Sequence, residues 1–457
     1  MATEKKNARW LHPVRVLLMA VILGVMAIVV WILPLRPTVS EVEKRELAKF
    51  PALTAEALLS GSFFDDINTW FADTFPGREA LVSFGSDIKG LFGLRGQGIV
   101  QSDQYGDADS IGTLPPSTTT TTGSNTTGVD GSTTITTTTT YGGPKWEPDE
   151  DLKGQHEALD NIMIDGGTAY EYYHFNQSLA DGYVQTIARA GSLLKDIQVY
   201  NLIVPTSVDI MLPADQQPAG VSSQKDALEY FSAWITHHNP SVKVINPREA
   251  LLAHNKEYIY FHSDHHWTAL GAYYAYLEFA KTAGLEPVML DEAFETVEFD
   301  GFRGTFYASA QAAGYRLSDD TVYAYEPKDD VSMEFVQNDG QTLAWPVIMD
   351  VSDWAASSKY NCFIGGDQPL ATIVNESIEE ESSIIVVKDS YGNAFTPFLT
   401  AHYRTVYVVD PRHFNDVFDQ TLPEFAQEKG VDAVLFLNNI GATRNPIVVP
   451  ALSDLVG

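Results

Sequence analysis

Two short segments carry side chains that can do chemistry together. One reads His262-Ser263-Asp264-His265-His266-Trp267-Thr268 and stands directly before an amphipathic stretch. The other reads Ile384-Ile385-Val386-Val387-Lys388-Asp389-Ser390-Tyr391-Gly392-Asn393-Ala394-Phe395, an apolar strand pattern that stops at a serine and turns. A serine hydroxyl is a poor nucleophile until a base takes its proton. Histidine suits that task near neutral pH, provided a carboxylate holds the imidazole in the right tautomer. Asp264 and His266 lie two residues apart, so in an extended or turn conformation their side chains point the same way and the carboxylate reaches Nδ1. Ser390, where a strand gives way to a helix, projects its Oγ from the sheet edge. N–H groups at that helix start, near Gly392 and Asn393, are candidates to stabilise an oxyanion. The expected roles are Ser390 as nucleophile, His266 as base and Asp264 as its orienting acid.

Each of these residues also has an ordinary reading. A serine after a strand commonly caps a helix, and Ser263 or Thr268 can cap the helix that follows the histidines. His262, Asp264, His265 and His266 are zinc-type ligands. Neither HExxH nor a second histidine pair at helical spacing accompanies them, so no metal or other cofactor is assigned. Cys362 is the single cysteine, which leaves no disulfide framework and no cysteine-based zinc site.

The elements that must position these groups can be read from hydrophobic pattern. Strands are expected at 198–205, 243–247, 383–389, 405–410 and 433–439, several of them continuous apolar runs suited to burial on both faces. Between them lie helix-period stretches: GYVQTIARAGSLLKDI, QKDALEYFSAWITHH, WTALGAYYAYLEFAKTAG and the segment after Ser390. Such alternation indicates an α/β domain with a mainly parallel sheet, whose sites form at the C-terminal strand ends. That domain is expected over 145–457, with a less regular stretch at 286–381 read as an inserted lobe.

Upstream, residues 16–33 read VLLMAVILGVMAIVVWIL, an uncharged run long enough, at roughly 27 Å of helix, to cross a hydrocarbon core. Lys5, Lys6, Arg9 and Arg15 precede it against one acid, Glu4, which places 1–15 in the cytoplasm and the rest of the chain outside. A cleavable signal peptide is the competing reading. The run exceeds a usual h-region, and PLRP rather than a small-x-small site follows it, so a single-pass anchor is preferred. Residues 34–112 read as a membrane-proximal helical segment. Residues 113–144 form a Thr-rich linker, with 15 threonines among the 28 positions of 113–140, too polar to order itself. The formal charge of −31, from 29 basic and 60 acidic residues, argues against nucleic acid or an anionic lipid surface as partner.

At SDHHWT and KDSYGNAF the chain resembles the DHHW protein family and, more distantly, the SGNH-hydrolase-like proteins that O-acetylate alginate and other exopolysaccharides. SEVEKRELAKFP, GSF and FADTFPGRE after the apolar run resemble the same proteins. The resemblance implies an SGNH-hydrolase-like fold, an Asp-x-His pair at Asp264 and His266, and a downstream serine at Ser390. It also implies a substrate-facing Arg412 at a strand end; Asn438 and Asn439, ending another strand, are further candidates to line the site. The function implied is carbohydrate O-acetyl transfer or acetyl ester hydrolysis, with a carbohydrate polymer as acceptor and a multipass membrane acyltransferase as donor. A noncatalytic envelope protein that binds polysaccharide or scaffolds an assembly is the alternative.

Overall fold

The computed structural model describes residues 162–457 apart from 214, 218 and 219; before them it describes only 39–40, 45–46, 49–51, 63, 67, 70–71, 74–75, 109–115 and 156–158. The apolar run 16–33, most of the membrane-proximal segment and residues 116–144 lie outside the described residues. Among the described residues no helix is long and apolar enough to cross a membrane. The chain divides into two units, 1–96 with 311–315, and 97–310 with 316–457. In the first, Val39–Ser40 pairs antiparallel with Arg45–Glu46, and Phe63, Ile67, Trp70 and Phe71 are helical.

The second unit is built on one eight-stranded sheet. Its strands are β1 (Gln198–Val204), β2 (Lys243–Ile245), β3 (Val331–Val336), β4 (Thr342–Ala344), β5 (Leu370–Asn375), β6 (Ser383–Lys388), β7 (Thr405–Val409) and β8 (Ala433–Asn439). The spatial order is β4-β3-β5-β7-β6-β8-β1-β2. The strands β7, β6, β8, β1 and β2 pair in parallel, and β5, β3 and β4 extend them by antiparallel pairing. The five strands expected from the sequence are these parallel ones. The sheet as a whole is mixed, because β3, β4 and β5 come from the stretch read as an inserted lobe. Only part of that stretch stands apart from the sheet: a hairpin of Phe294–Phe302 with Asp320–Pro327.

Helices cover both faces: α1 (Gln177–Leu193), α2 (Gln224–His238), α3 (Ala269–Ala283), α4 (Tyr391–Leu399), α5 (Leu422–Lys429) and α6 (Val448–Val456). Strand residues alternate between two cores. Tyr200, Leu202, Ile384, Val386, Val406, Leu435 and Leu437 pack with α3 and α4 residues such as Tyr276, Phe279, Phe395 and Phe398. Val199, Ile203, Ile385, Val387, Val434 and Phe436 pack with α1, α2, α5 and α6 residues such as Tyr183, Phe231, Phe425 and Leu452. Burial on both sides is why these strands are apolar at most positions. β6 lies between β7 and β8, so the chain leaves it to one side and later crosses back to the other. A crevice opens at the C-terminal ends of strands where such a reversal occurs, and Ser390 follows β6 there.

Candidate active site

The His262–Thr268 segment is the tip of a tight loop. Tyr260 and Trp267 form an antiparallel bridge, and Phe261 N–H donates to His266 O at 3.3 Å. Thr268 closes the loop as the N-cap of α3, its Oγ1 accepting from Gly271 N–H and donating to Tyr258 O. Within the tip, Asp264 Oδ1 lies 2.5 Å from His266 Nδ1 and also accepts His266 N–H at 3.0 Å. Asp264 Oδ2 accepts Thr305 N–H at 2.7 Å. Burial pushes the Asp264 pKa up, but the charges of His266 and His265 and these hydrogen bonds outweigh it and hold the carboxyl well below the usual range. The ionised carboxylate therefore fixes the Nδ1–H tautomer, which leaves Nε2 as the basic nitrogen.

His266 Nε2 lies 2.7 Å from Ser390 Oγ, 124 residues along the chain. Ser390 sits at the N-cap of α4 in the right-handed helical region, φ −58° and ψ −18°, and its side chain makes no capping bond. The ordinary reading of this serine as a helix cap is thus set aside, while Thr268 is a cap. Three further contacts clip the two segments together. Trp267 Nε1–H donates to Tyr391 O at 3.0 Å, the Tyr391 hydroxyl donates to His265 O, and the Tyr360 hydroxyl donates to Ser390 O at 2.9 Å. The Tyr360 ring also stacks on the His266 imidazole, 4.0 Å between centroids and 12° between planes. The histidine is thereby held from both ring nitrogens and one face.

The oxyanion donors expected at Gly392 and Asn393 are engaged elsewhere. Gly392 N–H donates to Asp389 O at 2.9 Å and Asn393 N–H to Ser390 O at 3.2 Å, because the chain turns tightly as it enters α4. The Asn393 amide donates to Asp367 Oδ1 at 3.0 Å. Ser390 N–H, by contrast, donates to no group among the described residues. Asn438 is fully buried, and its Oδ1 accepts from the Tyr183 hydroxyl under α1, so it does not line the site. Asn439 caps Ala442 N–H with its side chain and braces Asp389 Oδ2 with its own N–H at 2.8 Å. Arg412 is gripped by Asp410, Nε to Oδ1 at 2.8 Å, and by Asp367, Nη2 to Oδ2 at 2.7 Å. Burial alone lowers the Arg412 pKa, but those carboxylates raise it overall.

Several members of the site were not singled out from the sequence. Lys388 is 1% exposed and donates to Asp367 at 2.7 Å, and Asp389 accepts N–H groups from Tyr391 and Asn439. A Lys-Asp pair ending an apolar strand was a signal for both. Thr305, Tyr360 and Asp367 come from the irregular 286–381 stretch, where no pattern marks them. Glu171 is another carboxyl near the loop, its pKa raised by burial against the opposing charges of His265 and Arg444. Asp264, His265 and His266 offer ligand atoms within 4.8 Å of one another, but both ring nitrogens of His266 are already engaged by Asp264 and Ser390. His262, the fourth member of the zinc-type set, points away to Thr168 Oγ1 at 2.7 Å.

A sequence profile of the DHHW protein family matches residues 43–112 and 150–409. The chain belongs to the DHHW protein family. The match skips the whole of the Thr-rich stretch 113–144 and ends before Arg412, Asn438 and Asn439. Among solved structures, a DHHW family protein from Eubacterium siraeum DSM 15702 is 26% identical, with a TM-score of 0.57 over 66% of this chain and 97% of that one. PatB1 of Bacillus cereus, in a structure with a sulfonyl adduct, is 18% identical, with a TM-score of 0.52 over 63% of this chain and 97% of that one. The O-acetyltransferase domain of AlgJ from Pseudomonas putida is 12% identical with a TM-score of 0.40, covering 64% of this chain and 99% of that domain. No protein with a curated description matches the chain.

Proposed function

We propose that this DHHW protein is an extracytoplasmic carbohydrate O-acetyltransferase or acetylesterase that works through an acyl group on Ser390. The observation that carries the reading is the line of contacts from Asp264 to His266 at 2.5 Å and from His266 to Ser390 Oγ at 2.7 Å. Ser390 Oγ attacks the carbonyl carbon of an acetyl donor as its proton passes to His266 Nε2. The imidazolium so formed faces the Asp264 carboxylate, and the oxyanion faces Ser390 N–H. The leaving oxygen takes the proton from Nε2, and an acetyl-serine remains. A sugar hydroxyl or water then gives its proton to Nε2 and attacks the same carbon, and Ser390 Oγ recovers the proton as it leaves.

Arg412 is the cation we assign to the substrate. Two carboxylates fix its Nε and Nη2, and Nη1 has no partner among the described residues. The acceptor is a carbohydrate polymer outside the cytoplasm. The donor is a multipass membrane acyltransferase, to which the apolar run 16–33 would tether the catalytic unit. The PatB1 structure's sulfonyl adduct points to a matching experiment. A sulfonyl fluoride is expected to add one covalent group to this protein, and Ser390→Ala is expected to lose both that adduct and the release of acetate from an acetylated ester. Undiminished turnover in a folded Ser390→Ala protein removes the proposed nucleophile.

A further inference from the structure

A dense cluster of buried polar groups lies just before Asp264 and takes no part in the steps above. Asp320 opens the second strand of the Phe294–Phe302 hairpin and is 2% exposed. Its Oδ1 accepts the Tyr258 hydroxyl and His262 N–H, the latter at 2.8 Å. Its Oδ2 accepts Ser263 N–H at 2.8 Å and the Ser263 hydroxyl at 2.5 Å. Ser263, itself fully buried, hands the constraint on, because its Oγ accepts Gly304 N–H at 2.9 Å and its carbonyl accepts Phe306 N–H at 3.0 Å. Between those two donors stands Thr305, whose N–H is the one bound to Asp264 Oδ2. Gly304 lies so close that a Cβ there would come within 2.1 Å of the Asp264 Cβ.

A buried carboxylate held only by neutral donors is costly, and burial raises the pKa of this one. A fold that needed only to fill the space has cheaper apolar solutions. What this carboxylate does is grip two successive backbone N–H groups and the serine between the loop and the Gly304 turn.

We propose that Asp320 is a positioning residue for the triad: through Ser263 it locks residues 262–264 against the Gly304–Thr305 backbone and so sets Asp264 on His266. The inference rests on the reading of Ser390, His266 and Asp264 as a triad. It also assigns a role to the hairpin, which brings Asp320 and the Gly304 turn to the loop from outside the sheet.

The test uses the full chain in detergent with 15N-labelled histidine. Ser263→Ala removes the relay at little change in volume, and Asp320→Asn replaces one acceptor by a donor. Both variants are expected to lose on the order of 100-fold in kcat on an acetyl ester with KM nearly unchanged, the cost of a misplaced catalytic group. Both are also expected to move the His266 Nδ1–H resonance, which a merely structural role leaves in place. Should Asp320→Asn fail to fold, Ser263→Ala decides alone. An unmoved resonance in folded Ser263→Ala overturns the proposal whatever happens to turnover; so does wild-type kcat in that variant when Ser390→Ala is inactive. If Ser390→Ala keeps its turnover, the functional reading fails, and the resonance alone judges the positioning claim.

Discussion

Asp389 immediately precedes the nucleophile, and its ionisation should leave a measurable mark on stability. The residue is 5% exposed, and its carboxyl accepts N–H groups from Tyr391 at 3.0 Å and Asn439 at 2.8 Å. Burial raises its pKa from 3.8 to about 6, against the opposing pull of those N–H groups and of Arg412. The unfolded chain keeps the lower value, so between the two the folded protein holds a proton that the unfolded chain has released. The group's contribution to stability is therefore complete below 3.8 and is lost as pH rises through about 6. A span of about two pK units corresponds to roughly 3 kcal/mol, at about 1.4 kcal/mol per unit. Asp389→Asn cannot ionise, so it supplies the reference. The unfolding free energy of the wild type minus that of the variant, from urea titrations in pH steps, is expected to fall by about 3 kcal/mol across that window. Other carboxylates titrate in both proteins and cancel. A flat difference, or one that rises with pH, refutes the reasoning, because the two N–H donors would then outweigh burial.

Asp264→Asn is expected to lower kcat by about 10³- to 10⁴-fold with little change in KM, since the amide favours the wrong imidazole tautomer; a loss under tenfold in steady-state ester hydrolysis would contradict this. Gly304→Ala pushes a Cβ to 2.3 Å from Asp264 Oδ2, so the Thr305 N–H contact must break, and a loss on the order of 100-fold in kcat is expected from the same assay. Lys388→Met strips the ammonium from Asp367 and from the fully buried Asp410, leaving Arg412 as their remaining cation. Urea unfolding should show a loss of about 3 kcal/mol.

The parallel half of the sheet was legible because both its faces are buried, which makes β1, β6, β7 and β8 apolar almost without interruption. β3 and β5 were not. VSMEFV exposes alternate residues, and LATIVN has a half-exposed threonine and valine, so neither stands out against the charged residues around it. They extend the sheet by antiparallel pairing, with one flank less covered, and their weaker pattern let the whole of 286–381 pass for a lobe. Helix bounds were closer, since Ser223, Thr268 and Gly284 mark ends that the sequence signals directly: two side-chain caps and one left-handed glycine.

For the site, the misplacement of Asn438 was avoidable. Strand side chains alternate, and Asn438 shares its parity with Val434 and Phe436, which pack under α1 and α6, whereas Asn439 shares the parity of Leu435 and Leu437 on the face of α3 and α4. The Gly392 and Asn393 donors failed for a different reason. A helix start leaves N–H groups free only if the preceding turn does not take them, and the turn at Asp389 and Ser390 takes both. The supports of the Asp-x-His pair had no such rule to find them. Hydrophobic burial leaves a periodic trace because every turn of helix or pair of strand residues repeats it. Asp320, Gly304, Thr305 and Tyr360 stand at chain separations of roughly 40 to 95 residues from His266 and act through hydrogen bonds and ring contacts that no periodic pattern repeats. Nothing in composition or spacing distinguishes them from their neighbours. The nucleophile's strand could therefore be read from its own residues, while the precision of the histidine depends on residues visible only once the chain is folded.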